Sequence, residues 1–236
     1  MAKDDDALIC NADGCAVPAG TNTDAAAATF SGELSVVSDA ICPWCYVGKR
    51  RLEQAFALMD GEPRPRVTWR PFELNPQMPK AGIDRREYRM RKFGSWERSL
   101  QMDAQLTEVG RSVGIAFRYD LMKRTPNTFD AHRLIWLAGQ LGVQDAMVEI
   151  LFRAYFSEGR NIGDANVLAE LAALAGIERP RAEAMLAGTE GSDEVAGEEE
   201  IAMRAGLSGV PTFVLDGRVL FSGAQSPELI ARALSR

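Results

Sequence analysis

The sequence predicts an α/β fold interrupted by a long all-helical insertion. Three observations carry that expectation. A short apolar strand, a helix and a second strand follow one another between about residues 33 and 74. Helical periodicity alone fills about residues 85 to 206. Strand patterning returns only near the end, as a hairpin followed by one more helix.

Residues 1–31 begin acidic and continue rich in Ala, Thr, Asn and Gly. Such a segment buries too little apolar surface to offset the entropy of ordering, so a flexible N-terminal tail is expected. It holds two of the four cysteines, Cys10 and Cys15. Residues 34–38, Leu-Ser-Val-Val-Ser, are short, apolar and β-branched, and read as a buried strand. Val47, Leu52, Ala55, Phe56 and Met59 then recur at helical spacing. Pro43 suits the first turn of that helix, which stops before Gly61 and the Pro63/Pro65 pair. Residues 67–74 read as a second strand, completing a βαβ unit.

In the middle, Gly, Pro and Asn punctuate candidate helices at 85–93, 95–113, 128–141, 144–156, 164–175, 181–186 and 193–205. The third directs Ala131, Leu134, Ile135, Leu137 and Ala138 toward a core. No strand is expected in this region. The basic residues between Arg85 and Lys92 are interleaved with Glu87 and Tyr88, and read as a solvated helix face. At the end, Asp216-Gly217-Arg218 separates two apolar runs, a strong hairpin signal. A last helix is expected at 227–234. The expected division is a tail at 1–31, an α/β domain in two halves at 32–80 and 190–236, and a helical insertion at 81–189.

The chain has 236 residues, 46% of them hydrophobic, enough for a sizeable core without disulfide staples. A net charge of −6 argues against a nucleic-acid surface, which needs clustered Lys and Arg. No apolar stretch approaches the roughly 20 residues of a membrane span. Neither a basic leader nor a long apolar run opens the chain, so a cytoplasmic protein is expected. Cysteines in that compartment point to catalysis or metal more often than to structural bridges.

Cys42-Pro43-Trp44-Cys45 carries the chemistry. A Cys-x-x-Cys pair alone fits redox chemistry, half a zinc site or two unrelated thiols. Its place decides: it follows a buried strand and opens a helix. The unpaired N–H groups and partial positive charge there stabilise a thiolate, so Cys42 is expected to be the nucleophile. Cys45, one turn on, is expected to be more buried and to resolve the mixed disulfide. Far along the chain, Val210-Pro211-Thr212 heads the terminal hairpin. Taken with the cysteine pair, it looks like the cis-proline loop that faces the dithiol in thioredoxin-fold proteins. Val210 would then offer its backbone to an extended substrate.

Four segments sharpen the match. They are Ser38-Asp39-Ala40-Ile41-Cys42-Pro43-Trp44-Cys45, Trp69-Arg70-Pro71-Phe72-Glu73-Leu74-Asn75-Pro76, Asn127-Thr128-Phe129-Asp130-Ala131-His132-Arg133 and Gly209-Val210-Pro211-Thr212-Phe213. In order and spacing they resemble the FrnE-like branch of the DsbA family over about residues 33–236. The resemblance implies a thioredoxin fold with an inserted all-helical subdomain. It also implies dithiol–disulfide exchange, with Cys42 attacking a protein or small-molecule disulfide, and no cofactor beyond the dithiol itself. Relatives of that branch include 2-hydroxychromene-2-carboxylate isomerase and the kappa-class glutathione transferases. The alternative function is therefore a glutathione-dependent isomerase or transferase, and glutathione is a candidate co-substrate. Those relatives have serine where this chain has Cys42, which favours redox chemistry here. Periplasmic DsbA has histidine where this chain has Trp44, so its oxidising strength does not carry over.

The resemblance makes Phe72, Asn75 and His132 candidate groove residues. Cys10 and Cys15 are a candidate second redox pair, on a tail long enough to reach Cys42. Four cysteines also permit a zinc site. The helix-start placement of one pair and the tail placement of the other argue against it, and no metal is expected.

Overall fold

The computed structural model describes residues 10–11, 14–15 and 32–235. In the N-terminal segment β1 (Cys10–Asn11) pairs antiparallel with β2 (Gly14–Cys15), and the backbone register sets Cys10 opposite Cys15. The rest of the tail expected at 1–31 lies outside the described residues.

The central sheet starts with β3 (Glu33–Ser38), which leads into α1 (Pro43–Leu58) and β4 (Arg66–Pro71). β3 and β4 run parallel, as their helical crossover requires. The chain then forms β5 (Ile83–Asp84), α2 (Arg85–Phe93), α3 (Trp96–Ser112), β6 (Arg124–Thr125), α4 (Phe129–Gln140) and α5 (Gln144–Phe156). α6 (Ala165–Leu174), α7 (Arg179–Ala187) and α8 (Ser192–Arg204) follow. β7 (Thr212–Leu215), β8 (Arg218–Ser222) and α9 (Pro227–Leu234) return to the sheet. The sheet order is β4-β3-β7-β8, with β7 antiparallel to both neighbours. This is the thioredoxin fold with its helical insertion.

Local chemistry explains the boundaries. Asp84, Ser95, Asp164 and Ser226 cap α2, α3, α6 and α9 by accepting backbone N–H bonds. Asp216 and Gly217 take positive φ values of 48° and 79°, as a two-residue hairpin turn demands. Asp216 Oδ1 also accepts the Glu33 N–H at 2.9 Å, tying the hairpin tip to the start of β3.

The expectation of no strand in the middle is corrected. β5 and β6 pair antiparallel, Ile83 with Thr125 and Asp84 with Arg124. Two residues are too few to show alternation, so only long-range contact reveals the pair.

The insertion is fastened to the sheet edge. β4 has a neighbour on one side only. On the other, Gln144 of α5 accepts the Trp69 N–H at 2.9 Å and donates to the Trp69 carbonyl at 3.1 Å. One side chain thus replaces a missing strand and leaves no unpaired backbone at that point. Trp69 Nε1 donates to Asp145 at 3.0 Å beside it. Tyr46 of α1 stacks on Phe152 of α5, with centroids 5.0 Å apart. Among the described residues no helix is long and apolar enough to cross a membrane.

Candidate active site

The site forms where β3 ends and α1 begins. Cys42 is the N-cap of α1, with extended φ −89° and ψ 113°, and Pro43 is the first helical residue. The Cys42 N–H donates to the Asp39 carbonyl at 3.0 Å, and the Cys45 N–H donates to the Cys42 carbonyl at 3.0 Å. Both cysteines are free thiols. Cys42 is 5% exposed, Cys45 is fully buried, and Trp44 stands 43% exposed at the rim.

The loop before β7 supplies the other side. The Cys42 thiol donates to the Val210 carbonyl at 3.6 Å. The Val210–Pro211 peptide bond is cis. Thr212 Oγ1 donates to the Gly209 carbonyl at 2.8 Å, and the Pro211 carbonyl accepts the Gly223 N–H at 2.8 Å. Gly48, two turns into α1, lets helix and loop approach: a Cβ there would lie 3.0 Å from Pro211 Cγ and 3.5 Å from Phe213 Cζ. Nothing in the sequence singles out Gly48, because only the packed structure shows what its missing side chain makes room for.

Burial pushes the Cys45 thiol well above its ordinary pKa, and the neighbouring Cys42 sulfur adds to the rise. The Ser38 hydroxyl and the Asp39 backbone act the other way. Cys45 is therefore a protonated, sheltered thiol one turn behind Cys42.

Asp39 holds the loops around Cys42 together. It is fully buried. Its Oδ1 accepts the Ile41 N–H at 3.2 Å and its Oδ2 accepts the Leu74 N–H at 2.7 Å. One carboxylate thus ties the segment entering the active site to the segment leaving β4. His132 of α4 is buried beneath, with Nε2 3.6 Å from Asp39 Oδ1. Burial opposes a charge on His132, but Asp39, Glu199 and Glu73 outweigh it and hold its pKa above the ordinary value. Burial, then the charge of Glu199, pushes Glu73 up to about 7.

A cavity of about 300 Å³ opens beside Cys42, with Trp44 and Val210 also in its wall. Asn75 lines it; Phe72 and His132 do not. His132 instead lines a separate cavity of about 240 Å³, with Ser38 and Trp69. The structure therefore brings Cys42, Pro43, Trp44, Asn75 and Val210 to one cavity, while Cys45, Pro211 and Thr212 are buried outside its lining.

The basic run on α2 departs from its expectation as a solvated face. Arg85 is 5% exposed, and Arg89 and Lys92 line the Cys42 cavity with it. Their spacing of four and three residues places all three on one helical face, a signal present in the sequence. The interleaved Glu87 masked it.

Comparison with known proteins agrees with this fold. A crystal structure described as a probable DsbA oxidoreductase, SCO1869 from Streptomyces coelicolor, is 35% identical and superposes with a TM-score of 0.80. The match covers 86% of this chain and 88% of that one. The uncharacterized protein YwbO of Bacillus subtilis (strain 168) is 28% identical over 86% of this chain and 95% of its own length. The cytosolic disulfide reductase DsbM from Pseudomonas aeruginosa is 22% identical with a TM-score of 0.57, covering 86% and 92% of the two chains, and shares the fold. The DSBA-like thioredoxin domain family matches residues 33–235, from the first strand of the sheet to the end of α9. A buried dithiol at a helix start, opposed by the loop before β7, is what this chain holds as a member of the DSBA-like thioredoxin domain family.

Proposed function

We propose that the chain is a thiol–disulfide oxidoreductase of FrnE type, with Cys42 as nucleophile and Cys45 as resolving thiol. The observation that carries this reading is the pairing of Cys42 Sγ, at the start of α1, with the Val210 carbonyl 3.6 Å away. The Cys42 thiolate attacks one sulfur of a substrate disulfide and displaces the other as a thiolate. Cys45 then loses its proton and attacks Cys42 Sγ, releasing the second substrate thiol and closing a Cys42–Cys45 disulfide. Two electrons pass from the dithiol to the substrate, and the reverse sequence oxidises a substrate dithiol. The cis-proline loop presents Val210 to an extended substrate.

Glutathione belongs to the proposal as a co-substrate; one structure of Pseudomonas aeruginosa DsbM was determined with it. Two thiols in the motif favour exchange over glutathione-dependent isomerisation, which needs no resolving thiol. A second redox pair at Cys10 and Cys15 is proposed on their opposed backbone positions. Replacing both by serine should slow turnover; an unchanged rate removes them from the relay. A cytosolic setting is proposed as well, and fractionation of the native host tests it.

The central test compares insulin-disulfide reduction and the Cys42/Cys45 redox potential in wild type and Cys42→Ser. Activity is expected to vanish in the variant. Activity that survives the substitution overturns the assignment.

A further inference from the structure

The wall of the Cys42 cavity is oddly charged for this protein. The chain carries a net charge of −6, yet no Asp or Glu lines the cavity, while Arg85, Arg89 and Lys92 do. The two arginines share one acid: Arg85 Nη2 lies 2.6 Å from Asp103 Oδ2, and Arg89 Nη2 lies 2.7 Å from Asp103 Oδ1. Two guanidinium groups against one carboxylate leave one positive charge uncompensated in a largely dehydrated setting. Lys92 Nζ donates to the Tyr88 hydroxyl at 2.6 Å and to Asn75 Oδ1 at 3.5 Å, and meets no carboxylate among the described residues. The wall therefore holds about two positive charges in excess, one on the buried arginine pair, where a reduced dielectric strengthens its field, and one on the exposed Lys92 at the rim.

Two hydrogen-bonding groups in the same wall lack partners. Asn75 Oδ1 accepts the Tyr88 hydroxyl at 2.7 Å, which turns Asn75 Nδ2 away as a buried donor with nothing to bond. The Tyr119 hydroxyl is buried and unpartnered too. Buried polar groups are rarely left so, and unpaired donors beside surplus cations ask for an acceptor that carries negative charge. The remaining wall includes Met102, Leu106, Met122 and Phe156, which offer only apolar contact.

We propose that this cavity is a substrate site selective for anions. It takes a low-molecular-weight disulfide or thiol bearing a carboxylate on an apolar body. The carboxylate would sit toward Arg89, Lys92 and Asn75, and the sulfur toward Cys42 and the Val210 carbonyl. That placement of sulfur rests on the redox reading above; the anion site itself does not.

Two measurements keep those readings separate. In the first, calorimetric titration follows S-benzylthioglycolate, a carboxylate that cannot exchange, and its uncharged primary amide. The acid should bind about tenfold or more tightly than the amide, as for a ligand charge met by complementary charge. Lys92 is exposed, so Lys92→Glu leaves the core intact, and it should bring the acid down to the amide's affinity. Equal binding of acid and amide to the wild type, or acid binding indifferent to Lys92→Glu, overturns the site. In the second, reduced protein meets 3,3′-dithiodipropionate, 2-hydroxyethyl disulfide and cystamine. Rates should fall in that order, from anion to cation, and rates independent of charge overturn the site as a substrate site. Reaction with none of the three, while the acid still binds through Lys92, overturns the redox reading and leaves the anion site standing.

Discussion

Asp39 and His132 form a buried pair beneath Cys42, with Oδ1 3.6 Å from Nε2 and 2% or less of either side chain exposed. Asp39 comes from the loop that leads into Cys42, and His132 from the first turn of α4 in the insertion. The pair therefore couples the helical subdomain to the segment that positions the active site.

The chain has one histidine, so its titration is directly visible by NMR. Its pKa should lie above the ordinary value, since Asp39, Glu199 and Glu73 overcome the cost of burial. A raised imidazole pKa gives stability that is full below the unfolded pKa and is lost as pH rises through the folded one. In Asp39→Asn the burial cost should dominate and the pKa should drop below the ordinary value. An unchanged titration in that variant would remove Asp39 as the cause.

Glu73 has the same sign for a different reason. Burial and the charge of Glu199 push its carboxyl up to about 7. The folded state thus holds this proton more tightly than the unfolded chain does. Its contribution is full below the ordinary carboxyl pKa and declines as pH rises through about 7. Melting temperature should therefore fall over that window in the wild type. Glu73→Gln, which cannot ionise, should flatten the slope and raise the melting temperature at pH values above it. A slope that persists in the variant assigns the effect to other groups.

Cys45 should be chemically silent in the folded protein. It is fully buried and burial raises its pKa. Iodoacetamide should label Cys42 about tenfold or more faster than Cys45, because burial raises the Cys45 pKa while Cys42 opens onto a cavity. Peptide mass mapping after short exposure reads the ratio. Equal labelling would contradict the sheltered position of Cys45.

Gly48 should tolerate little. A Cβ would already sit 3.0 Å from the Pro211 ring. Gly48→Val should cost about 1–3 kcal/mol by overpacking. It should also slow disulfide exchange, because relief requires moving the loop that carries Val210. Denaturant unfolding and insulin reduction check the two effects. A fully stable and fully active variant would show that the loop yields freely.

Gln144 should matter more than a surface amide usually does. Gln144→Leu leaves the Trp69 N–H and carbonyl without the partners they have at 2.9 and 3.1 Å. Losing partners at a half-buried sheet edge should cost about 1–3 kcal/mol by chemical denaturation. A loss below about 0.5 kcal/mol, within the range of ordinary surface substitutions, would mean that water replaces the amide.

The sequence alone determined the βαβ opening, the helical middle, the Asp216-Gly217 hairpin and the cysteine pair at a helix start. Each of these rests on local spacing, which backbone sterics and burial read out over a few residues. Tertiary structure alone decided the rest. The β5–β6 pair joins residues some 40 positions apart and has no local pattern. His132 went beneath Asp39 rather than into the Cys42 cavity, because the packing of α4 on the sheet fixed where its buried face points. Arg85 and Arg89 look like solvated charges in the sequence, and only the arrival of Asp103 from α3 turned them inward. A buried charge needs a partner, and the identity of that partner is set by the fold and not by the neighbours in sequence.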